Sequence, residues 1–185
     1  MEFLLTILLL AALTPLFVWL YIARQGDAHF EFLVDQATDF VLTELTETTA
    51  VFSCKVPFIN NGTQDGTIMD AYTRHLLPYE QYDGVEVYSR LELETARRAD
   101  QYFEAVIVPK GTGQAVMITV KFTGKGRTMA QALAEMSEMG LDMSIDIVYQ
   151  IVARSDWYIT KKRLVMKAVD IVRALDKHAA VKEAE

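Results

Sequence analysis

A run of twenty residues without a charge, FLLTILLLAALTPLFVWLYI, extends from Phe3 to Ile22 between Glu2 and Arg24. A helix of that length rises about 30 Å, the thickness of a bilayer's hydrocarbon core. Thr6 and Thr14 can bond back onto such a helix, and Pro15 kinks it at a cost that membrane helices tolerate. Trp19 and Tyr21 fall near its C-terminal end, where amphipathic rings favour the interface. The flank Met1-Glu2 lacks the positive charge of a secretory leader, and no small-x-small cleavage site follows. The pattern therefore predicts a retained transmembrane helix over 1–24, in preference to a cleaved signal peptide or a buried core helix. Arg24 stands after the span with no Lys or Arg before it. The positive-inside rule then points to the cytoplasmic side for the rest of the chain.

Past a connecting segment, 25–37, the hydrophobic period falls to two. Within that segment Phe30, Leu33, Val34 and Ala37 share one face and predict a short helix. Phe40 to Leu45 reads as a strand. From Ala50 to Ile59 the residues Ala50, Phe52, Cys54, Val56 and Phe58 alternate with Val51, Ser53, Lys55, Pro57 and Ile59. Cys54 is thus placed as a packed thiol, and Pro57 predicts an end or an edge nearby. Asn60-Asn61-Gly62-Thr63-Gln64-Asp65-Gly66 is a turn, and Asn61-Gly62-Thr63 reads as turn chemistry in preference to a glycosylation site. Further strands are predicted at Thr67–Thr73, Val85–Leu93, Tyr102–Val108 and Ala115–Phe122, the last two joined as a hairpin through Pro109 to Gly113. Thr128 with Gln131 three residues on forms a capping box, Met129, Leu133 and Met136 line one helix face, and Gly140 stops it. A long strand, Met143–Ala153, turns at Ser155-Asp156 and pairs back over Trp157–Met166. The spacing of Ala168, Ile171 and Leu175 predicts a helix, with HAAVKEAE as a frayed tail. These elements make a mainly β chain: an anchor at 1–24, an antiparallel β-sandwich over 38–170 with one short intercalated helix, and a C-terminal helix or tail at 171–185.

The chain has 185 residues, 51% apolar and 23% charged, which excludes wholesale disorder and a coiled-coil rod. A single cysteine excludes an internal disulfide and a multi-cysteine zinc site. Its three histidines show no ligand spacing, so no metal or cofactor is expected. Gly111-Thr112-Gly113-Gln114-Ala115-Val116 starts like a dinucleotide fingerprint but ends in valine and lies in a predicted hairpin, away from any helix N-terminus. Tyr158 and Lys162 match the spacing of a dehydrogenase dyad without the nucleotide-binding half that gives it meaning. The Asn61–Gly66 stretch starts like a calcium loop but carries Tyr72 where a bidentate Glu belongs. Glu86, Glu92 and Glu94 alternate with Arg90 and read as a solvated face. An enzyme is not expected.

Charge is uneven: residues 25–104 carry fifteen acids and five bases, and 105–185 nine acids and twelve bases. The bases gather as Lys121, Lys125 and Arg127, and as Lys161, Lys162, Arg163 and Lys167. Were these neighbouring strand ends, they would form one basic rim suited to anionic headgroups or an acidic partner. Leu76, Leu77, Tyr79 and Tyr82 form a second candidate contact, being large apolar and aromatic residues in a connection. The net charge of −7 and the lack of an aromatic-basic motif speak against nucleic acid.

The order FVLTEL, then VFSCKVPFINNG, then a hairpin ending in AVMITVKF, a short helix and SIDIVYQIVARSDW resembles the immunoglobulin-like sandwich of the late-embryogenesis-abundant type 2, or water-stress and hypersensitive-response, domains. It is also similar to fibronectin-like adhesion modules. The resemblance covers about residues 38–166 and implies a non-catalytic, often membrane-anchored domain, with no site residues to carry over. Taken together, the sequence predicts a non-enzymatic single-pass membrane protein. Its sandwich would act as an interaction or scaffolding module, an accessory subunit of a membrane complex contacting the bilayer and other subunits. The alternative is a membrane-anchored domain that holds a lipid or other apolar ligand between its sheets.

Overall fold

Among the described residues, alternation along the chain is realised as nine strands in two antiparallel sheets. The structure is a computed structural model that describes residues 2–77, 82–98, 100 and 102–183. The first sheet is built from β1 (Phe30–Phe32), β2 (Val41–Leu45), β3 (Thr49–Asn60), β5 (Val85–Leu93) and β7 (Gly113–Gly124). It has the order β1-β3-β7-β5, with β2 also paired to β3. The second, β6-β4-β8-β9, uses β4 (Gly66–Leu76), β6 (Val106–Val108), β8 (Met143–Val152) and β9 (Trp157–Met166). The described residues also form the α-helices α1 (Glu2–Arg24), α2 (Met129–Glu138) and α3 (Ala168–Glu183).

The inward faces meet as the alternation requires. Ala50, Phe52, Cys54, Val56 and Phe58 of β3 are all buried, and each outward neighbour is only half-buried. Phe32 stacks on Phe58 with ring centroids 5.1 Å apart and meets Tyr149 across the sandwich at a tilt, 4.5 Å away, and Phe52 meets Phe122 edge-on at 5.7 Å. α2 begins on the predicted capping box, with Thr128 accepting from the Gln131 N–H and Gln131 accepting from the Thr128 N–H. Its buried face is Met129, Ala132, Leu133 and Met136, and Gly140 follows with φ +63°.

Several expectations are corrected. The segment 30–37 is not a helix. Phe30 and Phe32 turn inward in β1, which pairs with Phe58–Asn60, and only Val34–Gln36 makes a 3-10 turn, with no side-chain cap to extend it. The sheet therefore begins inside the stretch expected to be a connection. Pro57, by contrast, lies three residues before the end of β3 at Asn60, in keeping with the end or edge expected nearby. Its carbonyl accepts from Leu33 N–H on the β1/β2 side, so its missing N–H faces the gap between those two short strands, while its other side pairs with Ala115. The loop Pro109–Gly113 is not a hairpin, because β6 pairs with β4 in one sheet and β7 with β3 and β5 in the other. Only Val106–Val108 of the stretch starting at Tyr102 is paired. The C-terminal stretch is helical through Glu183, and α3 contributes Ala168, Ile171 and Ala174 to the buried set.

Candidate interaction surfaces

The sandwich has two poles, set by strand direction. The turns 61–65, 109–112 and 153–156 gather where α1 arrives, and here the chain ties the helix to the sheets. Arg154 donates from Nη2 to the Ile22 carbonyl and from Nε to the Gly26 carbonyl, both at 3.2 Å. Thr63 Oγ1 and Gln64 Nε2 donate to the Gln25 carbonyl at 2.8 and 3.1 Å. The Asp27 carboxylate accepts from the N–H groups of Ala28, Arg154 and Ser155 at 2.7–2.9 Å, and from the Ser155 hydroxyl. Partial burial raises this carboxyl's pKa, but the bonds from Ser155, Ala28 and Arg154 together outweigh it and hold the group at about 2. Gly26 makes the bend with φ +68°, and a Cβ there would meet Thr63 Oγ1.

Beneath this junction Asn60 is fully buried, and its amide joins three turns. Oδ1 accepts from His29 N (3.1 Å) and Gly62 N (3.0 Å), and Nδ2 donates to the carbonyls of Gln64 (2.9 Å) and Val108 (3.1 Å). Its backbone bonds to Gly111 and Thr112 of the crossover between sheets. Sequence reasoning placed a turn here, but could not show that the first Asn points inward. Asp27 and Arg154 carry no local motif at all, since their partners lie some 127 residues apart.

At the opposite pole Tyr82 is buried against α2, its hydroxyl 3.1 Å from the Ala132 carbonyl and 3.0 Å from a Glu135 carboxylate oxygen. Burial first, and Glu135 second, raise its pKa. Arg127 pairs with the same Glu135, and Lys125 N–H donates to the Gly84 carbonyl at 2.9 Å. Leu76 and Leu77 are half-buried. Tyr82 thus fastens the connection to α2, leaving no free ring for a partner, and Tyr79 lies outside the described residues.

The predicted basic residues do not form one rim. Lys121 lies on the outer face of the first sheet, in register with Val51 and Tyr88 on an internal strand. Lys161 and Arg163 lie on β9, the edge of the second sheet, where both clamp Asp146 at 2.6 and 2.8 Å. Asp146 is only 3% exposed, and the bonds from Arg163 and then Lys161 hold its pKa at about 2. Lys162 reaches Glu31 of β1 at 3.5 Å across the open side of the sandwich. The bases divide because β7 and β9 belong to different sheets.

Glu92 is likewise not solvated but 6% exposed. It lies in an outer cleft of about 380 Å³ on the first sheet with Glu44, Ser53, Arg90, Arg97 and Thr119, its carboxylate 3.7 Å from Arg90 Nε. The chain after β5 folds back through a Leu93–Ala96 bridge, which brings Arg97 to the same cleft. Cys54 is buried, which pushes its thiol up to about 12. Among the described residues no group of three His, Cys, Asp or Glu could hold a metal ion.

No protein-family model matches this chain, and no curated protein does. Several solved structures align with it at low identity. The GGA1 GAE domain of yeast aligns at 9% identity over 75% of this chain and 91% of its own, with a TM-score of 0.38. A protein from Archaeoglobus fulgidus aligns at 8% identity over 75% of this chain and 95% of its own, with a TM-score of 0.40. The CupB6 tip adhesin of Pseudomonas aeruginosa aligns at 5% identity over 78% of this chain and 52% of its own, with a TM-score of 0.38. The chain's own strand pairing makes it a mainly β protein of two antiparallel sheets, and among the described residues one helix, near the N-terminus, is long and apolar enough to cross a membrane.

Proposed function

We propose that this is a non-enzymatic, single-pass membrane protein whose sandwich is an interaction module, serving as an accessory subunit of a membrane complex on the cytoplasmic side. One observation carries this reading. Among the described residues nothing buries the apolar stretch of α1, yet its C-terminal end and the residues just after it are bonded into two turns of the sandwich, through Thr63 of one and Arg154 of the other. A helix so exposed needs lipid or other helices around it, and one so firmly tied holds its domain at a fixed height above them.

The strand order supports an immunoglobulin-like reading of the sandwich. β1-β3-β7-β5 follows the pattern A-B-E-D and β4-β8-β9 the pattern C-F-G, with β6 added beside β4. That reading is also consonant with the late-embryogenesis-abundant type 2 likeness. The direct ring contacts of Phe32 with Phe58 and Tyr149 favour a self-filled core over an apolar ligand held between the sheets. Purification from native membranes in mild detergent, with chemical cross-linking beforehand, tests the proposal. Stoichiometric co-purifying chains are the expected result, and a clean monomer contradicts it.

A further inference from the structure

The outer face of the second sheet is apolar at the pole where α1 arrives and basic farther along. Ile107, Thr67, Val152 and Trp157 stand in register across β6, β4, β8 and β9, forming one transverse row. Ile107 is 69% exposed, Trp157 62% and Val152 37%, and Ile159, one outward position farther along β9, is 59%. Their chain neighbours Val108 and Ile151 are fully buried, so the alternation fixes this row outward. No segment of the described chain covers it. Isolated exposed apolar residues need no explanation, but a row across four strands that includes a tryptophan does.

The position of the row identifies what covers it. Val152 and Trp157 flank the very turn whose Arg154 and Ser155 bind Ile22, Gly26 and Asp27. The row is therefore held within a few residues of the point where the apolar helix ends. Next along the same face come Lys161 and Arg163, with Arg74 in register with Asp146 between them and β4. Two cations clamp one buried carboxylate there and Arg74 stands in register beside it, so that even with Asp70 on the same face the band beyond the apolar row is net positive. An apolar, Trp-bearing edge backed by positive charge is the composition of a surface that settles into the headgroup layer of an anionic bilayer.

We propose that this edge of the second sheet, Ile107, Val152, Trp157 and Ile159, docks onto the interface of the same bilayer that holds α1, so that the sandwich leans on the membrane. This rests on α1 spanning that bilayer, and the test separates the two claims. The chain has two tryptophans, Trp19 in α1 and Trp157 in the edge. W19F leaves Trp157 as sole reporter, and W157F leaves Trp19. Each full-length variant is reconstituted into phosphatidylcholine–phosphatidylglycerol vesicles, with or without bromines on the acyl chains near the headgroups or at mid-chain.

The expected result is that Trp157 loses roughly half its emission to bromines near the headgroups and little to mid-chain bromines, as a ring at the interface does. Adding I107S and I159S, both at exposed positions, returns the emission to its unquenched level. If Trp19 is quenched by brominated lipid and Trp157 is not, α1 is embedded and the docking edge is overturned. If neither is quenched, both claims fall. A Trp157 that is blue-shifted but unaffected by brominated lipid faces protein instead, which also overturns the proposal.

Discussion

Asn60 shows how much one buried side chain can organise. Its amide uses both donors and both lone-pair directions on partners from three separate turns. Asn60→Ala strands the His29 and Gly62 N–H groups and two carbonyls, and the account expects a loss of about 2 kcal/mol or more in chemical denaturation. An effect within a few tenths of a kcal/mol would contradict this role. Asp27 and Asp146 add a pH signature. Each has a folded pKa of about 2 against an ordinary value of 3.8, so each contributes stability that is fully present above the ordinary value. That contribution is lost as pH falls from about 4 towards 2. The melting temperature should fall over that window, and more gently in Asp27→Asn or Asp146→Asn. An unchanged acid slope in both variants would refute the assignment. None of these three residues announces itself in the sequence, because their partners are brought together only by the fold.

At the scale of elements, α2 is the clearest case of local chemistry setting structure. Thr128 and Gln131 satisfy each other's N–H groups, and Thr128→Ala should cost about 1 kcal/mol in thermal or denaturant unfolding, with the β-sheet signal otherwise unchanged. No measurable loss would show that packing of Met129, Leu133 and Met136 alone holds the helix. Elements like this one, and strands such as β3, β5 and β8, were legible because a regular period runs through them and one face is buried. The misread segments share a different trait. Phe30–Phe32 is too short for three-residue alternation to be told from helical spacing, and only pairing with β3 decides it. The Pro109–Gly113 loop has hairpin composition, but the strands on either side belong to different sheets, a long-range choice that turn residues do not encode. Glu92 looked solvated because strand alternation says which face a residue is on, not whether that face is concave.

For the whole molecule, the sequence displayed the apolar helix and the two-layer β body, while the bonds joining them were invisible in it. Its predicted contact residues fare unevenly: Tyr82 is consumed by α2, and the bases are split between the sheets. Among the surfaces left exposed by the described residues are the flanks of α1 and the apolar row beside the turn that binds it. The central claim is that α1 stays in the bilayer as part of the working protein. Alkaline carbonate extraction of native membranes, followed by mass spectrometry of the chain, addresses this most directly. The account predicts that the chain stays in the membrane pellet and yields peptides from residues 2–24. Recovery in the supernatant of a chain that starts near Gln25 would contradict it.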